Sequence, residues 1–196
     1  MSSKTPKLKV LLVDEDPDRA LRMREALAGA RCSVVGALCT AREIPEAAAR
    51  TNPDVVIIET DSPLRDAVES LAFTKSTGAR PVVMFTGDPD DAGIRAAIDA
   101  GVAAYVVDGL TPRRLRPILL VARERFVAEQ ALRQELADTR QALKDRKLIE
   151  RAKGVLMRAR GLDEENAFGM LRKFAMDRGL SLAQASSRVL DLDSLI

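Results

Sequence analysis

The chain has 196 residues, of which 46% are hydrophobic, 31% charged and 3% aromatic, enough for one good core and a smaller module. It contains no histidine, which excludes histidine-based catalysis, histidine metal ligands and a role as a histidine phosphodonor. Residues 1–8 are polar and unlike a signal peptide, and no apolar run approaches the roughly 18 residues that span a bilayer. We therefore expect a cytoplasmic protein without a membrane partner. Cys32 and Cys39 are expected to be small core residues, not metal ligands or a disulfide.

Residues 8–110 alternate between strand patterns and helix patterns. Strands are predicted at residues 9–13, 33–37, 55–58, 82–85 and 105–107, and helices at residues 17–29, 41–50, 66–77 and 90–100. Because each connection is long enough for a helix, the strands should be parallel and connected in the right-handed sense. The predicted fold class is α/β: a five-stranded doubly wound parallel sheet, then a long coiled-coil helix, then a small three-helix domain.

Polar side chains follow these strands, at the edge of the sheet where such folds bind ligands. They are Asp14, Glu15, Glu59, Thr86 and Asp108. Converging carboxylates form a site for a hard cation such as Mg²⁺, so Asp14, Glu15 and Glu59 are candidate metal ligands, although no cofactor is required. The alternative is that these acids cap the helices that follow them.

The segments LLVDEDP, DVVIIETDSP, VVMFTG and AGVAAYVVDG resemble a response-regulator receiver domain across residues 8–115. The resemblance implies a role for each matching position. Asp14 and Glu15 match the metal-binding acids, and Glu59 matches the phospho-accepting position. Thr86 matches the hydroxyl that follows the phosphoryl group, and Tyr105 matches the switch aromatic.

Two positions depart from the receiver pattern. Glu59 stands where the family has aspartate, and Asp108 stands where the family has a lysine that contacts the phosphoryl oxygens. An aspartate there would repel those oxygens. Asp61 is the nearest spare aspartate, but it lies past the strand end. Since phosphoryl transfer needs positioning and charge neutralisation, we expect a degenerate receiver whose output is not switched by phosphorylation.

Residues 118–148 contain neither Gly nor Pro and are predicted to form one helix of about 45 Å. Thr111 and Pro112 look like a helix start, and Pro117 is expected to cause a kink or a restart. The long helix carries an imperfect apolar stripe that includes Phe126, Leu132, Leu136 and Leu143. A parallel two-stranded coiled coil would bury this stripe and make a homodimer. The alternative is a helix packed back along its own receiver.

The C-terminal residues predict three short amphipathic helices. The first, residues 147–161, ends at Gly161; the second starts at the N-cap Asp163 and stops at Gly179; a capping box at Ser181 opens the third. The apolar face of the first helix consists of Ile149, Ala152, Leu156 and Ala159. Gly154 lies mid-helix, where glycine costs about 1 kcal/mol relative to alanine, which favours close approach by another helix or a nucleic acid.

Basic charge is concentrated in this region. Residues 144–178 hold 10 Lys and Arg against 6 Asp and Glu, which favours a polyanionic partner over a membrane. The alternative is a solvated cationic surface with no partner.

The segments AKGVLM (residues 152–157) and LRKFA (residues 171–175), with Gly161 and Ala167 between them, resemble the ANTAR domain of AmiR/NasT-type antiterminators. The resemblance implies binding to hairpins in mRNA leaders and suppression of transcription termination. The residues expected to bind RNA are Lys147, Arg151, Lys153, Gly154, Arg158, Arg172 and Lys173. Recognition of a hairpin loop would combine phosphate contacts with splayed bases.

The order receiver, coiled helix, ANTAR is similar to AmiR/NasT-type response regulators along essentially the whole chain. The expected domains are a pseudo-receiver at residues 1–116, a coiled-coil linker at 117–146 and the ANTAR domain at 147–196. The stretch ETDSPLRDAVESL resembles the nitrate-responsive, NasT-like members, whose activity is held in check by a nitrate-sensing partner protein.

A DNA-binding function and an enzymatic function are the two alternatives to this one. A DNA-binding transcription factor is the main alternative, but the third C-terminal helix is short and carries only Arg188, which makes a poor recognition helix. An enzyme is disfavoured because the chain offers no nucleophile–base pair and no phosphate loop. The sequence therefore predicts a regulator that is not an enzyme.

Overall fold

The computed structural model describes residues 7–61, 80–87, 91–107 and 111–193. The chain divides into two compact units, Met1–Gln130 and Ala131–Ile196. The helix predicted at residues 66–77 and the candidate pocket residue Asp108 lie outside the described residues.

The first unit contains the predicted five-stranded sheet. All four strand pairings are parallel, in the order β2-β1-β3-β4-β5. Every residue of β3 and β4 is buried, as expected for strands covered by helices on both faces. The predicted fold class is confirmed, and each described strand lies within a few residues of its predicted position: β1 Leu8–Asp14, β2 Cys32–Leu38, β3 Val55–Glu59, β4 Val82–Thr86 and β5 Ala104–Val107.

Three helices cover this sheet in the described residues before position 111: α1 Pro17–Gly29, α2 Ile44–Thr51 and α3 Asp91–Asp99. A short 3₁₀ turn precedes α2, so the helix predicted at residues 41–50 is two elements. Successive residues of β1 pack into opposite layers. Leu12 lies in the core with Leu27 of α1, whereas Leu11 lies in the core with Ile44 of α2.

A 49-residue helix, α4 Pro112–Arg160, follows the sheet. Leu115 and Leu119 are fully buried in the same core as Leu27 of α1. The restart expected at Pro117 does not occur, because this proline removes only the bond to the Arg113 carbonyl near the helix start, where packing holds the turn. Neither α4 nor any other helix in the described part of the chain is long and apolar enough to cross a membrane.

The second unit contains the end of α4 with α5 Glu164–Asp177 and α6 Leu182–Asp193. The first of the three predicted C-terminal helices is therefore the last part of α4, not a separate short helix. Ala159, predicted on its apolar face, is exposed, because the small core lies nearer the middle of this segment. That core is built on Ala152, Leu171, Ala175 and Ala185.

The helix ends of the second unit match the sequence signals. Gly161 and Gly179 adopt φ values of 62° and 61°, the left-handed conformation that favours glycine. The Asp163 carboxylate accepts a backbone hydrogen bond of 2.8 Å in the first turn of α5. Ser181 and Gln184 form the predicted reciprocal capping box, with bonds of 2.9 and 3.1 Å.

The two cysteines differ in environment, and neither forms a disulfide. Cys32 is buried in the sheet core, as predicted. Cys39 is exposed, so its prediction as a core residue is wrong: it follows the last residue of β2, where the chain leaves the sheet.

Candidate functional site: an acidic pocket and a basic helical surface

The acidic pocket lies at the carboxyl edge of the sheet. Parallel pairing of β1 with β3 places Asp14 directly beside Glu59, and Thr86 ends the neighbouring strand β4. All three are buried, with exposed fractions of 4%, 7% and 6%. Two carboxylates are thus held side by side in the interior, where an uncompensated pair of charges would be strongly unfavourable.

The positive charge in this pocket comes from Arg19. Its Nε donates to both carboxylate oxygens of Asp14, at 3.0 and 3.1 Å, and its Nη2 donates to Oδ1 at 2.8 Å. Its Nη1 donates to Asp61, which is exposed. The Asp16 carboxylate caps α1 by accepting from the Asp18 and Arg19 backbone amides, which places Arg19 in the first turn, above Asp14. The bonds to Asp14 raise the pKa of the Arg19 guanidinium further.

Glu59 has a different environment from Asp14. Its Oε2 is the one buried side-chain oxygen or nitrogen among the described residues that lacks a hydrogen-bond partner. Burial, reinforced by the charge of Asp14, raises the pKa of Glu59 to about 7, although Arg19 and Arg22 act in the opposite direction. Near neutral pH a substantial fraction of Glu59 therefore holds its proton.

The other predicted pocket residues lie around Asp14 and Glu59. Glu15 is exposed at the rim, and Tyr105 is half-buried on β5, beside an apolar groove of about 370 Å³. A cavity of about 10 Å³, room for about one water, lies between Asp14, Glu15, Cys39 and Glu59. No group of three or more acidic or cysteine side chains in the described residues is arranged to hold a metal ion.

The sequence therefore located Asp14, Glu59 and Thr86 at one place but missed Arg19. The sequence did contain a signal for Arg19. Asp16 and Pro17 mark the start of α1, so Arg19 falls in the first turn of this helix, close to the end of β1.

The second candidate site is the basic surface of the C-terminal unit. Its predicted residues Lys147, Arg151, Arg158, Arg172 and Lys173 are all exposed. A Cβ built on Gly154 would come within 4 Å of the Arg158 side chain alone, at 3.5 Å. Among the described residues, no other side chain or neighbouring element lies within 4 Å of that Cβ position, so a side chain there would have room.

Lys153, also predicted to bind RNA, has a different setting. Its side chain is 9% exposed, and its Nζ lies 2.9 Å from Glu150 and 2.7 Å from Glu164. The hydrogen bonds to Glu164 and Glu150 raise the pKa of Lys153, and the Lys153 ammonium lowers the pKa of Glu164. Lys153 therefore joins the end of α4 to the start of α5.

A stacked pair that the sequence did not reveal lies farther along α5. The Arg178 guanidinium sits 5.3 Å from the centre of the Phe174 ring, within cation–π range. The two residues are one helical turn apart, so they meet on one side of the helix.

Comparison with known proteins finds relatives of both parts of this chain. The ANTAR domain family matches residues 137–190. A "Transcriptional regulatory protein PdtaR" from Mycobacterium tuberculosis is 31% identical over 183 residues, covering 93% of this chain and 89% of the relative. The chain belongs to the ANTAR response regulators.

Other relatives share smaller parts of this ANTAR regulator. A "Nitrate regulatory protein" from Klebsiella oxytoca is 36% identical over 93 residues, which is 47% of this chain and 24% of the relative. The receiver domain of the response regulator NarL from Mycobacterium tuberculosis has the same fold, with a TM-score of 0.55 at 20% identity over 61% of this chain and 98% of that chain. The printed names of both curated relatives are those of regulatory proteins, which agrees with the assignment of this chain to a regulatory family.

We predict that Glu59→Gln stabilises the first unit several-fold more at pH 8 than at pH 5. Below pH 4.5 the Glu59 carboxyl is protonated in both the folded and the unfolded chain. Between pH 4.5 and about 7 the unfolded chain loses this proton first, so the free energy of unfolding falls as the pH rises. The full difference, reached above pH 7, is on the order of 3 kcal/mol, and glutamine removes it.

Urea unfolding of the unaltered protein and of Glu59→Gln at pH 5, 6, 7 and 8 measures the difference in their free energies of unfolding. The exposed neighbour provides the control, because Glu15→Gln should change stability by under about 0.5 kcal/mol at every pH. An equal effect of Glu59→Gln at pH 5 and pH 8 would contradict the raised pKa.

Proposed function

We propose that this ANTAR response regulator binds hairpins in mRNA leaders and suppresses transcription termination. The observation that carries the proposal is a family-matched three-helix unit whose basic side chains are exposed while its one buried lysine is already paired. Exposed arginines suit this partner, because their planes can both contact phosphates and stack on splayed bases. The chain has few aromatic residues for stacking, and Phe174 is already covered by Arg178.

We propose further that a partner protein, and not phosphorylation, controls the output. The support is the chemistry of the acidic pocket. Glu59 is buried beside Asp14, and the spare aspartate Asp61 is paired with Arg19. In this proposal, an inhibitory sensor protein binds the chain and blocks its activity until a signal arrives. A role in nitrate or nitrite assimilation is supported by the resemblance of residues 59–71 and by the name of the Klebsiella relative.

The active form in this proposal is a homodimer formed through α4. Leu132, Leu136 and Leu143 are exposed by 66%, 49% and 56%, a stripe that a second helix would cover, and Phe126 is half-buried. A parallel two-stranded coiled coil has this periodicity.

We predict that Arg151→Ala with Arg172→Ala weakens binding to a leader hairpin, because two exposed cations are removed from the proposed RNA surface. If both contact phosphates, the slope of log affinity against log salt should fall by about 1.4, or about 0.7 for each contact. Titration of labelled leader RNA at several salt concentrations measures both quantities, once RNA recovered with the purified protein has been sequenced to supply the target.

Arg140→Ala with Lys144→Ala is the matched control, because it removes two exposed basic residues of α4 that are outside the proposed surface. Unchanged affinity of the Arg151 and Arg172 variant at moderate salt would reject this surface. The same titration is repeated with a promoter DNA duplex. Tighter binding to the duplex than to the hairpin would support a DNA-binding regulator instead.

For the homodimer, we predict that the intact protein with RNA sediments as a dimer at tens of micromolar. Replacing Leu132, Leu136 and Leu143 by alanine should shift it toward monomer, because the proposed helix–helix contact loses its apolar side chains. Val127→Ala is the control, since Val127 is 56% exposed but lies on another face of α4. A monomeric intact protein under these conditions would refute the dimer.

We predict that incubation with acetyl phosphate and Mg²⁺ leaves the intact mass unchanged, because Glu59 is buried and partly protonated near neutral pH and Asp61 is paired with Arg19. Intact mass spectrometry measures this directly, with RNA affinity followed in the same samples. A gained phosphoryl group on either residue, accompanied by tighter RNA binding, would overturn control without phosphorylation.

A further inference from the structure

Arg19 contacts both oxygens of Asp14, the acid that a receiver would give to a metal. Asp14 Oδ1 accepts from the Asp16 backbone amide at 2.9 Å and from two Arg19 nitrogens, and Oδ2 accepts from Arg19 Nε. An ionised carboxylate has about four acceptor sites, and three N–H groups already point at Asp14, with the Arg19 Nε–H shared between its two oxygens. A metal ion at Asp14 would have to share this carboxylate with the Arg19 guanidinium, at the cost of repulsion between two cations.

The geometry around Asp14 also does not suit Mg²⁺. That ion requires near-octahedral oxygen ligands at about 2.0–2.1 Å and gives up its waters reluctantly. The neighbouring cavity has a volume of only about 10 Å³, and Glu15 is exposed at its rim. The planar guanidinium, by contrast, meets both oxygens of Asp14 at ordinary hydrogen-bond distances.

Arg19 also connects separate parts of the first unit. It starts from the first turn of α1, pairs with Asp14 at the end of β1, and reaches Asp61 just after β3. Its side chain is 14% exposed, whereas that of Asp61 is 81% exposed, so the bridge runs from the interior to the surface. A divalent cation in such a pocket would connect the same strand ends.

We propose that Arg19 is the resident cation of the acidic pocket and takes the place of a divalent metal ion. The pocket of this regulator is then neutralised by the chain itself, and the arrangement of its strand ends does not depend on Mg²⁺. This inference concerns the first unit alone and holds whether or not the second unit binds RNA.

Metal titration of the intact protein tests the proposal. Mn²⁺ is the probe, followed by electron paramagnetic resonance, and thermal unfolding is compared in EDTA and in 10 mM MgCl₂. The unaltered protein should show no saturable Mn²⁺ site at millimolar concentration and the same Tm in both buffers. Arg19→Met, which keeps an unbranched side chain but removes the guanidinium, should lower Tm in EDTA by several degrees and acquire at least tenfold tighter Mn²⁺ binding.

Arg24→Met is the matched control, because Arg24 is an exposed arginine of the same helix, and it should behave like the unaltered protein. If Arg19→Met fails to fold, the measurements on the unaltered protein still decide the question. A saturable Mn²⁺ site in that protein, lost in Asp14→Asn, would overturn the proposal. So would an Arg19→Met protein with unchanged Tm and no gain in Mn²⁺ binding.

Discussion

The pairing of β1 with β3 places two carboxylates side by side inside the protein, and the chemistry of the pocket follows from this constraint. Both strands are central in the sheet, and Asp14 pairs directly with Glu59 at their ends. Asp14 and Glu59 must therefore share the same edge of the sheet. The chain compensates them in two different ways: Asp14 receives a guanidinium, and Glu59 tends to keep a proton.

In the C-terminal unit, too, the buried charge is paired with opposite charges, whereas the exposed cations lie at the surface. Lys153 is nearly buried, and two glutamates surround its ammonium. The exposed arginines and lysines near it are available to a polyanion. A count of charges in the sequence does not distinguish these residues. Their burial in the structure does: Lys153 holds two helices together, and the exposed residues face solvent.

Most of the fold was predictable because its signals are local. Apolar runs located β3 and β4, and the capping box at Ser181 located the start of α6. The misjudged features depend on contacts between distant parts of the chain. Pro117 stays within α4 because the helix around it is packed against the sheet core, a tertiary effect that local propensity does not contain.

The acidic pocket also shows that contacts between separate elements cannot be predicted from local sequence signals. Strand ends could be aligned from sequence, so Asp14, Glu59 and Thr86 were found. The partner of Asp14 lies only five residues away, but whether Arg19 turns inward depends on the cap at Asp16 and on room at the strand end. The role of Lys153 depends likewise on Glu164, which α5 brings back after the turn at Gly161.

The two thiols provide a practical consequence of this architecture. Cys32 is buried, and burial raises the pKa of its thiol, which suppresses the reactive thiolate. Cys39 is exposed and lines the small cavity beside Asp14 and Glu59. A maleimide dye should therefore attach selectively at Cys39 in the unaltered chain, where its emission would report on the charge state of the neighbouring carboxylates without any engineered labelling site.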